Sequence, residues 1–189
     1  YYQGCAGSIS PFEIDKFNFK GGDYIYEEKY DGIWCSVHYS SAGKVRFISR
    51  TEKEKTNAQL NSLKAYLEGF NLTDTILVGE LAFGSQKGTD HAKKYGHHKI
   101  DLFDVLQVGG VPCHEISLLG RKGMLEALVK KSNTDETYAK LADWGLATNA
   151  GIVKNAYDEI IRGGGEGLII KYIDDNMYRF GSKSPYWYK

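Results

Sequence analysis

The chain has 189 residues, 42% of them apolar and 25% charged, which is the composition of a folded globular protein and excludes a disordered one. Lysine plus arginine and aspartate plus glutamate each number 24, so a net charge of zero argues against a uniformly basic nucleic-acid coat and leaves room only for a local basic groove. No apolar run approaches the roughly 18 residues of a membrane span, no leader-like segment opens the chain, and the three cysteines form no C-x-x-C pair, so the expectation is a soluble protein of a reducing compartment with neither a zinc site nor a disulfide framework.

The first twenty residues carry no clear periodicity. Residues 24–30 read as an aromatic-rich strand, and Asp31-Gly32 ahead of the strand-like run 33–39 predicts a tight hairpin. A turn at 40–43 leads to a third strand over 44–49, so the domain is expected to open as an antiparallel meander. Leu60, Leu63, Leu67 and Phe70 follow helical spacing and predict a helix over 57–70. A strand is expected over 76–83, a basic exposed loop over 85–99 with His97 and His98 solvated, and a strand over 100–108. Ser117 is placed to cap a helix over 118–131, and further helices are expected over 135–146 and 152–161. Gly163-Gly164-Gly165 reads as a helix stop, because no strand-to-helix context for a phosphate loop surrounds it. Strands over 167–173 and 186–189 close the chain. The pattern predicts one α+β domain over residues 1–189, mainly antiparallel sheets flanked by helices.

Several strands carry ionisable residues that a simple core would not hold. In a strand, Glu27, Lys29 and Asp31 share a face, which suits either a surface ion-pair ladder or an active-site lysine. Glu80 follows Val78-Gly79 in an apolar strand, where an unpartnered carboxylate is rarely tolerated. Glu166 and Lys171 bracket Gly167-Leu168-Ile169-Ile170; their odd separation would point them to opposite faces of a regular strand, so either Gly167 breaks the strand or one of them reaches the site from its end.

Taken in order, these residues form a known pattern: Lys29-Tyr30-Asp31-Gly32 (K-x-D-G), Ser49-Arg50, Gly79-Glu80, Phe103-Asp104, Glu166-Gly167-Leu168-Ile169-Ile170-Lys171 and Trp187-Tyr188-Lys189, the opening of W-x-K-x-K. The ordered set covers most of the chain and resembles the nucleotidyltransferase (adenylation) domain of ATP-dependent DNA ligases, a ligase and capping-enzyme core of ATP-grasp-like fold. The resemblance implies that Lys29 takes AMP from ATP as a phosphoramidate and passes it to the 5′-phosphate of nicked duplex DNA, for sealing by the 3′-hydroxyl. It places Glu27 near the adenine amino group, Arg50 and Glu80 at the ribose and phosphates, and Phe103 under the base. Glu80 and Glu166 would hold Mg²⁺ or Mn²⁺, and Lys171 and Lys189 would contact the α-phosphate. The attacking lysine must be a neutral amine, which neighbouring cations favour, and those cations also offset charge on the transferring phosphoryl group.

The resemblance further implies a monomer in the cell interior (cytoplasmic in a bacterial, phage or viral setting, nuclear in a eukaryote) that normally carries a covalently linked C-terminal OB-fold domain, for which 189 residues leave no room. One departure stands out: Trp34 occupies the position two residues after the D-G pair where ligases often carry Arg. The alternatives are an RNA ligase or mRNA guanylyltransferase of the same superfamily, a NAD-dependent ligase, and a catalytically silent nucleic-acid-binding module. The intact Lys29, Glu80, Glu166 and Lys171 set weighs against the last, and the absence of a segment for binding nicotinamide mononucleotide against the NAD-dependent class.

Overall fold

The computed structural model describes residues 2–19, 23–130, 132, 134–173 and 178–189. In chain order the elements are β1 (Gln3–Gly7), a 3₁₀ turn (Ile14–Lys16), β2 (Tyr24–Glu28), β3 (Ile33–Tyr39), β4 (Val45–Ser49), α1 (Ala58–Glu68), β5 (Ile76–Leu81), α2 (Gln86–Tyr95), β6 (Ile100–Val108), β7 (Val111–Pro112), α3 (Leu118–Lys130), β8 (Ala139–Leu141), β9 (Trp144–Leu146), α4 (Ala150–Arg162), β10 (Leu168–Tyr172) and β11 (Ser182–Tyr188). Among the described residues the strands form two sheets, one of order β1-β11-β10-β2-β9 and one of order β4-β3-β5-β6-β7, with β8 alongside β6. Pairing is antiparallel except for β1 on β11 and β8 on β6, so the fold is the expected α+β arrangement of mainly antiparallel sheets flanked by helices. No helix among the described residues is long and apolar enough to cross a membrane.

Three apolar clusters hold these layers. The first packs Val37, Phe47 and Leu77 of the β3-containing sheet against Leu60, Leu63 and Leu67 of α1 and Leu125 and Val129 of α3. The second sets Val153 and Ala156 of α4 on Tyr24, Leu168 and Ile170 of the β2-containing sheet. The third joins the two sheets, with Ile76, Val78 and Leu106 from one meeting Trp187 of β11 and Tyr178.

Several expectations are corrected. The Asp31-Gly32 hairpin does not form: β2 pairs with β10 and β9, β3 pairs with β4 and β5, and Asp31-Gly32 carries the chain from one sheet to the other. A glycine is needed at 32 for close approach, since a Cβ there would lie 2.3 Å from the Leu81 carbonyl oxygen. The opening meander is thus only the β3–β4 hairpin, and β5 joins β3 on the side away from β4. The region expected as a basic loop is mostly α2, whose N-cap Ser85 accepts from the Gly88 N–H at 3.0 Å and whose C-cap Gly96 sits at φ +78°. His97 and His98 beyond it are buried, with His97 stacked on Tyr138 at a centroid separation of 3.5 Å. The helix expected over 135–146 is replaced by β8 and β9, and the unpatterned N-terminus contains β1, which borrows its order from β11.

The 3₁₀ turn and β7 have no counterpart among the expectations; the other elements lie within a few residues of theirs, and β6 coincides with its own. Asn57 caps α1, accepting from Leu60 N–H at 2.7 Å. Ser117 accepts from Gly120 N–H at 3.2 Å at the start of α3, whose expected last residue, Lys131, lies outside the described residues. Gly163 is the C-cap of α4 and Gly164 follows at φ +78°, so the glycine run ends the helix.

Candidate functional site

A cavity of about 640 Å³ opens where the two sheets face each other. Its floor is set by the register of β2 and β10. Glu27 lies opposite Ile169 and Ile25 opposite Lys171, so Glu27, Ile169 and Lys171 project from one face into the same space. Glu27 is buried and forms ion pairs with two ammonium groups, Lys171 and Lys122. Burial alone would raise its carboxyl, and the charges of Lys122 and Lys171 overcome this and hold it below the usual carboxylate range. Burial lowers Lys122, and the nearby charge of Lys171 adds to the effect. Lys171 also sits 5.0 Å from the ring centroid of Phe103 and 4.3 Å from that of Trp187, where the negative faces of the rings favour a cation.

Lys29 lies just past the end of β2, its backbone N–H donating to the Gly167 carbonyl at 2.8 Å. Its ammonium pairs with Glu166, and both side chains are about one third exposed at 38% and 36%. Gly167 adopts φ +143°, a conformation reserved for glycine, before β10 begins at Leu168. That break resolves the parity problem. Lys171 points into the main cavity, while Glu166 leaves the strand line to meet Lys29 and borders a second, smaller cavity of about 280 Å³ beside α4. Lys29 and Lys189 line both cavities. The end of β11 is fixed there by the Lys189 N–H donating to Gly7 O at 3.2 Å and Lys189 O accepting from Ile9 N–H at 2.9 Å.

The other sheet supplies the facing wall. Glu80 on β5 is cross-strand from Trp34 on β3, and both line the main cavity. Burial pushes the Glu80 carboxyl up to about 8; the charge of Lys29 opposes this, and Glu166, Asp101 and Asp31 reinforce it. Alternation along β6 divides the F-D pair: Phe103 faces the cavity, and Asp104 points the other way into a fully buried ion pair with Arg121 of α3, at 2.8 and 3.2 Å. Arg50 follows β4, and its guanidinium carbon lies 5.3 Å from the centroid of Tyr2, which in turn meets Trp34 edge-on at 5.5 Å. Trp34 therefore anchors the N-terminal segment that closes this side of the cavity, a packing role that an arginine there would not serve.

Seven of the eight site residues expected from sequence thus line one cavity, namely Glu27, Lys29, Arg50, Glu80, Phe103, Lys171 and Lys189, and Glu166 joins it through Lys29. Lys171 sits with Glu27 on the floor, and Lys29 pairs with Glu166 at the mouth. No group of three or more His, Cys, Asp or Glu side chains suited to a metal comes together among the described residues. Sequence reasoning passed over Lys122, Tyr2, Lys55 and Ile169. Lys122 left a signal, since it stands between Leu118 and Leu125 on the buried stripe of α3 at helical spacing. Tyr2 and Lys55 left none, because their place beside the cavity depends on long-range pairing.

The sequence profile of the family described as "ATP dependent DNA ligase domain" matches residues 6–189. A DNA ligase of Thermoplasma volcanium is 27% identical over 195 aligned residues, which cover 93% of this chain and 32% of that protein. The chain spans about a third of the length of such curated relatives. Among solved structures, a mycobacterial DNA ligase D complexed with ATP and MES superposes with a TM-score of 0.73 at 21% identity, covering 99% of this chain and 58% of the other. A Chlorella virus DNA ligase-adenylate superposes with a TM-score of 0.68 at 16% identity, covering 100% and 68%. At these identities the superpositions establish the shared fold.

Proposed function

The chain belongs to the ATP-dependent DNA ligase domain family, and from that premise we propose that it is the nucleotidyl-transfer core of such a ligase, with Lys29 as the residue that carries AMP. The observation that carries this reading is the position of Lys29: at a strand end, partly exposed, paired with Glu166 and opening onto a cavity that also holds a stacking ring and several cations.

In the proposed first step the Lys29 amine leaves its ion pair, gives up a proton to solvent and attacks the α-phosphorus of ATP. A P–N bond forms, the α–β phosphoanhydride bond breaks and pyrophosphate leaves. The AMP then passes to the 5′-phosphate at a nick, which frees Lys29, and attack by the 3′-hydroxyl forms the phosphodiester and expels AMP. Phe103 offers the base a flat face, and base stacking contributes about 1–3 kcal/mol. Lys171 and Lys189 present cations toward the phosphates, and Arg50 is held at the cavity wall by Tyr2.

Glu80 and Glu166 are the residues that would hold a divalent ion. The fit is supported by Glu80: a carboxyl held up at about 8 by burial and by neighbouring carboxylates is relieved by a cation. Two carboxylates are too few for a closed protein cage and suit Mg²⁺, which keeps waters and takes substrate phosphate oxygens. When bound it would offset phosphate charge. We further propose that nicked duplex DNA is the polynucleotide partner and that a linked OB-fold domain normally completes the clamp.

Intact-mass measurement with ATP tests the reading. An AMP-sized adduct should form on the wild-type chain, be discharged by pyrophosphate and be absent from Lys29→Ala. It should be absent from Lys29→Arg as well, because guanidinium does not deprotonate in proteins. An adduct persisting in Lys29→Ala would reject the assignment, and labelling by GTP in place of ATP would favour a capping enzyme.

A further inference from the structure

We infer that Lys122 is the positioning residue for nucleobase recognition: its ammonium ties Glu27 to the Phe103 backbone and holds the Glu27 carboxylate as an acceptor for the amino group of an adenine-type base. The inference rests on the nucleotide-pocket reading above and adds a residue that none of the sequence motifs contains.

Lys122 projects from α3 between the buried Leu118 and Leu125 and is 2% exposed. An ammonium there is tolerated only if its donors are used. One donates to the Phe103 carbonyl oxygen at 2.5 Å and another engages Glu27. These partners belong to different sheets, Phe103 to β6 and Glu27 to β2. One cation therefore sets the distance between the ring on one wall of the cavity and the carboxylate on the other.

Stability alone does not account for this lysine. Replacing a buried ion pair by well-packed apolar side chains is often neutral or favourable. α3 is already fastened to β6 by the paired Arg121 and Asp104 next to it. Charge balance points to binding instead. Glu27 is faced by Lys122 from α3, Lys171 from β10 and Cys5 from β1, so two ammonium groups surround one carboxylate.

Held ionised, the carboxylate can only accept hydrogen bonds, and two ammoniums leave about two of its roughly four lone-pair directions open. A base presenting an amino group to them is favoured. A base presenting a carbonyl oxygen at the same edge is repelled.

The test measures binding of ATP and of purine riboside triphosphate, which lacks the 6-amino group, through quenching of Trp34 and Trp187 at the cavity wall. Wild type should prefer ATP by roughly tenfold or more, the worth of a hydrogen bond to a charged group. Lys122→Met should lose most of that preference by weakening ATP and not the analogue. Its ATP affinity should fall as pH drops from 8 to 6, because Glu27, freed of one cation, takes up a proton at higher pH than before.

Lys122→Gln keeps a donor for Phe103 or Glu27 and should restore part of the preference. A thermal melt establishes that each variant is folded. A folded Lys122→Met with the wild-type ratio across this pH range overturns the inference. If that variant does not fold, Lys122→Gln decides: a pH-dependent ratio supports the inference and a flat wild-type ratio overturns it. Wild type that binds ATP without distinguishing the analogue defeats this inference alone, whereas wild type that binds neither defeats the nucleotide reading with it.

Discussion

Among the described residues, two of the buried carboxylates have contrasting partners. Asp104, on the β6 strand, meets one guanidinium through two hydrogen bonds and faces away from the cavity. Glu27, on β2, meets two ammoniums and lies on the cavity floor. The first arrangement is balanced in charge and geometrically closed, which suits a fastener between α3 and its sheet. The second carries one surplus cation and open lone pairs, which suits a group awaiting a ligand. The largest expected effect tests this contrast. Asp104→Asn strands a buried guanidinium and should cost about 3–5 kcal/mol in a urea titration. Glu27→Gln should cost clearly less, because Lys122, already depressed by burial, can shed its proton, while nucleotide affinity is lost. Equal stability losses would erase the distinction.

The exposed ion pair at the mouth extends the comparison. Lys29 and Glu166 are both partly solvated, so their attraction adds little to stability. Glu166→Gln should change the unfolding free energy by less than about 0.5 kcal/mol. It should nonetheless slow adenylation about 100-fold, the loss typical of removing a group that organises charge in a transition state. Wild-type adenylation by this variant across a magnesium titration would remove Glu166 from the metal site.

Acid should weaken the sheet that contains β3. On β3, burial and then the charge of Arg46 lower His38 from 6.5 to about 4. The unfolded chain therefore takes up this proton at higher pH than the folded one. The stability is fully present above about 6.5 and is lost as pH falls toward 4, by roughly 2 kcal/mol after discount for partial exposure. Equilibrium unfolding at pH 7 and pH 4.5 should show a smaller acid loss in His38→Gln than in wild type; identical losses would place the acid sensitivity elsewhere.

What was legible from sequence follows the range of the forces involved. The six ordered motifs contain seven of the eight expected site residues, with Glu27 two residues ahead of the first, and they were legible because each is short and its residue types suit the proposed phosphate and base chemistry. The amphipathic α1 and α4 and the strand β6 were legible because local periodicity reports burial directly. The Asp31-Gly32 turn misled because a two-residue signal says where the chain bends and not which strand it will pair with; here β2 found β10, more than a hundred residues later. β8 and β9 are three residues each and owe their order to β6 and β2, so no local pattern could announce them. Lys122 was visible as a charge in an apolar stripe, but its partner Glu27 lies on another layer.

α2 was missed for a related reason, and its weakness gives the smallest predicted effect. Only Gly88 and Ala92 of its residues are buried, so it lacks the apolar stripe that usually marks a helix. Its order must come largely from its ends. Ser85 accepts from the Gly88 N–H at 3.0 Å, and Lys93 and Lys94 stand in the last turn, where the helix dipole favours cations. A Cβ at Gly88 would lie 2.7 Å from the Ala82 backbone, so the helix start is pressed against the segment leaving β5. Ser85→Ala removes one cap and should cost about 1 kcal/mol, felt mainly within α2. Amide exchange in residues 86–95 should quicken about fivefold, while amides of β5 and β6 keep their wild-type rates. Quickening that spreads equally into β5 would mean that α2 opens only with the whole domain, and that this helix belongs to the scaffold after all.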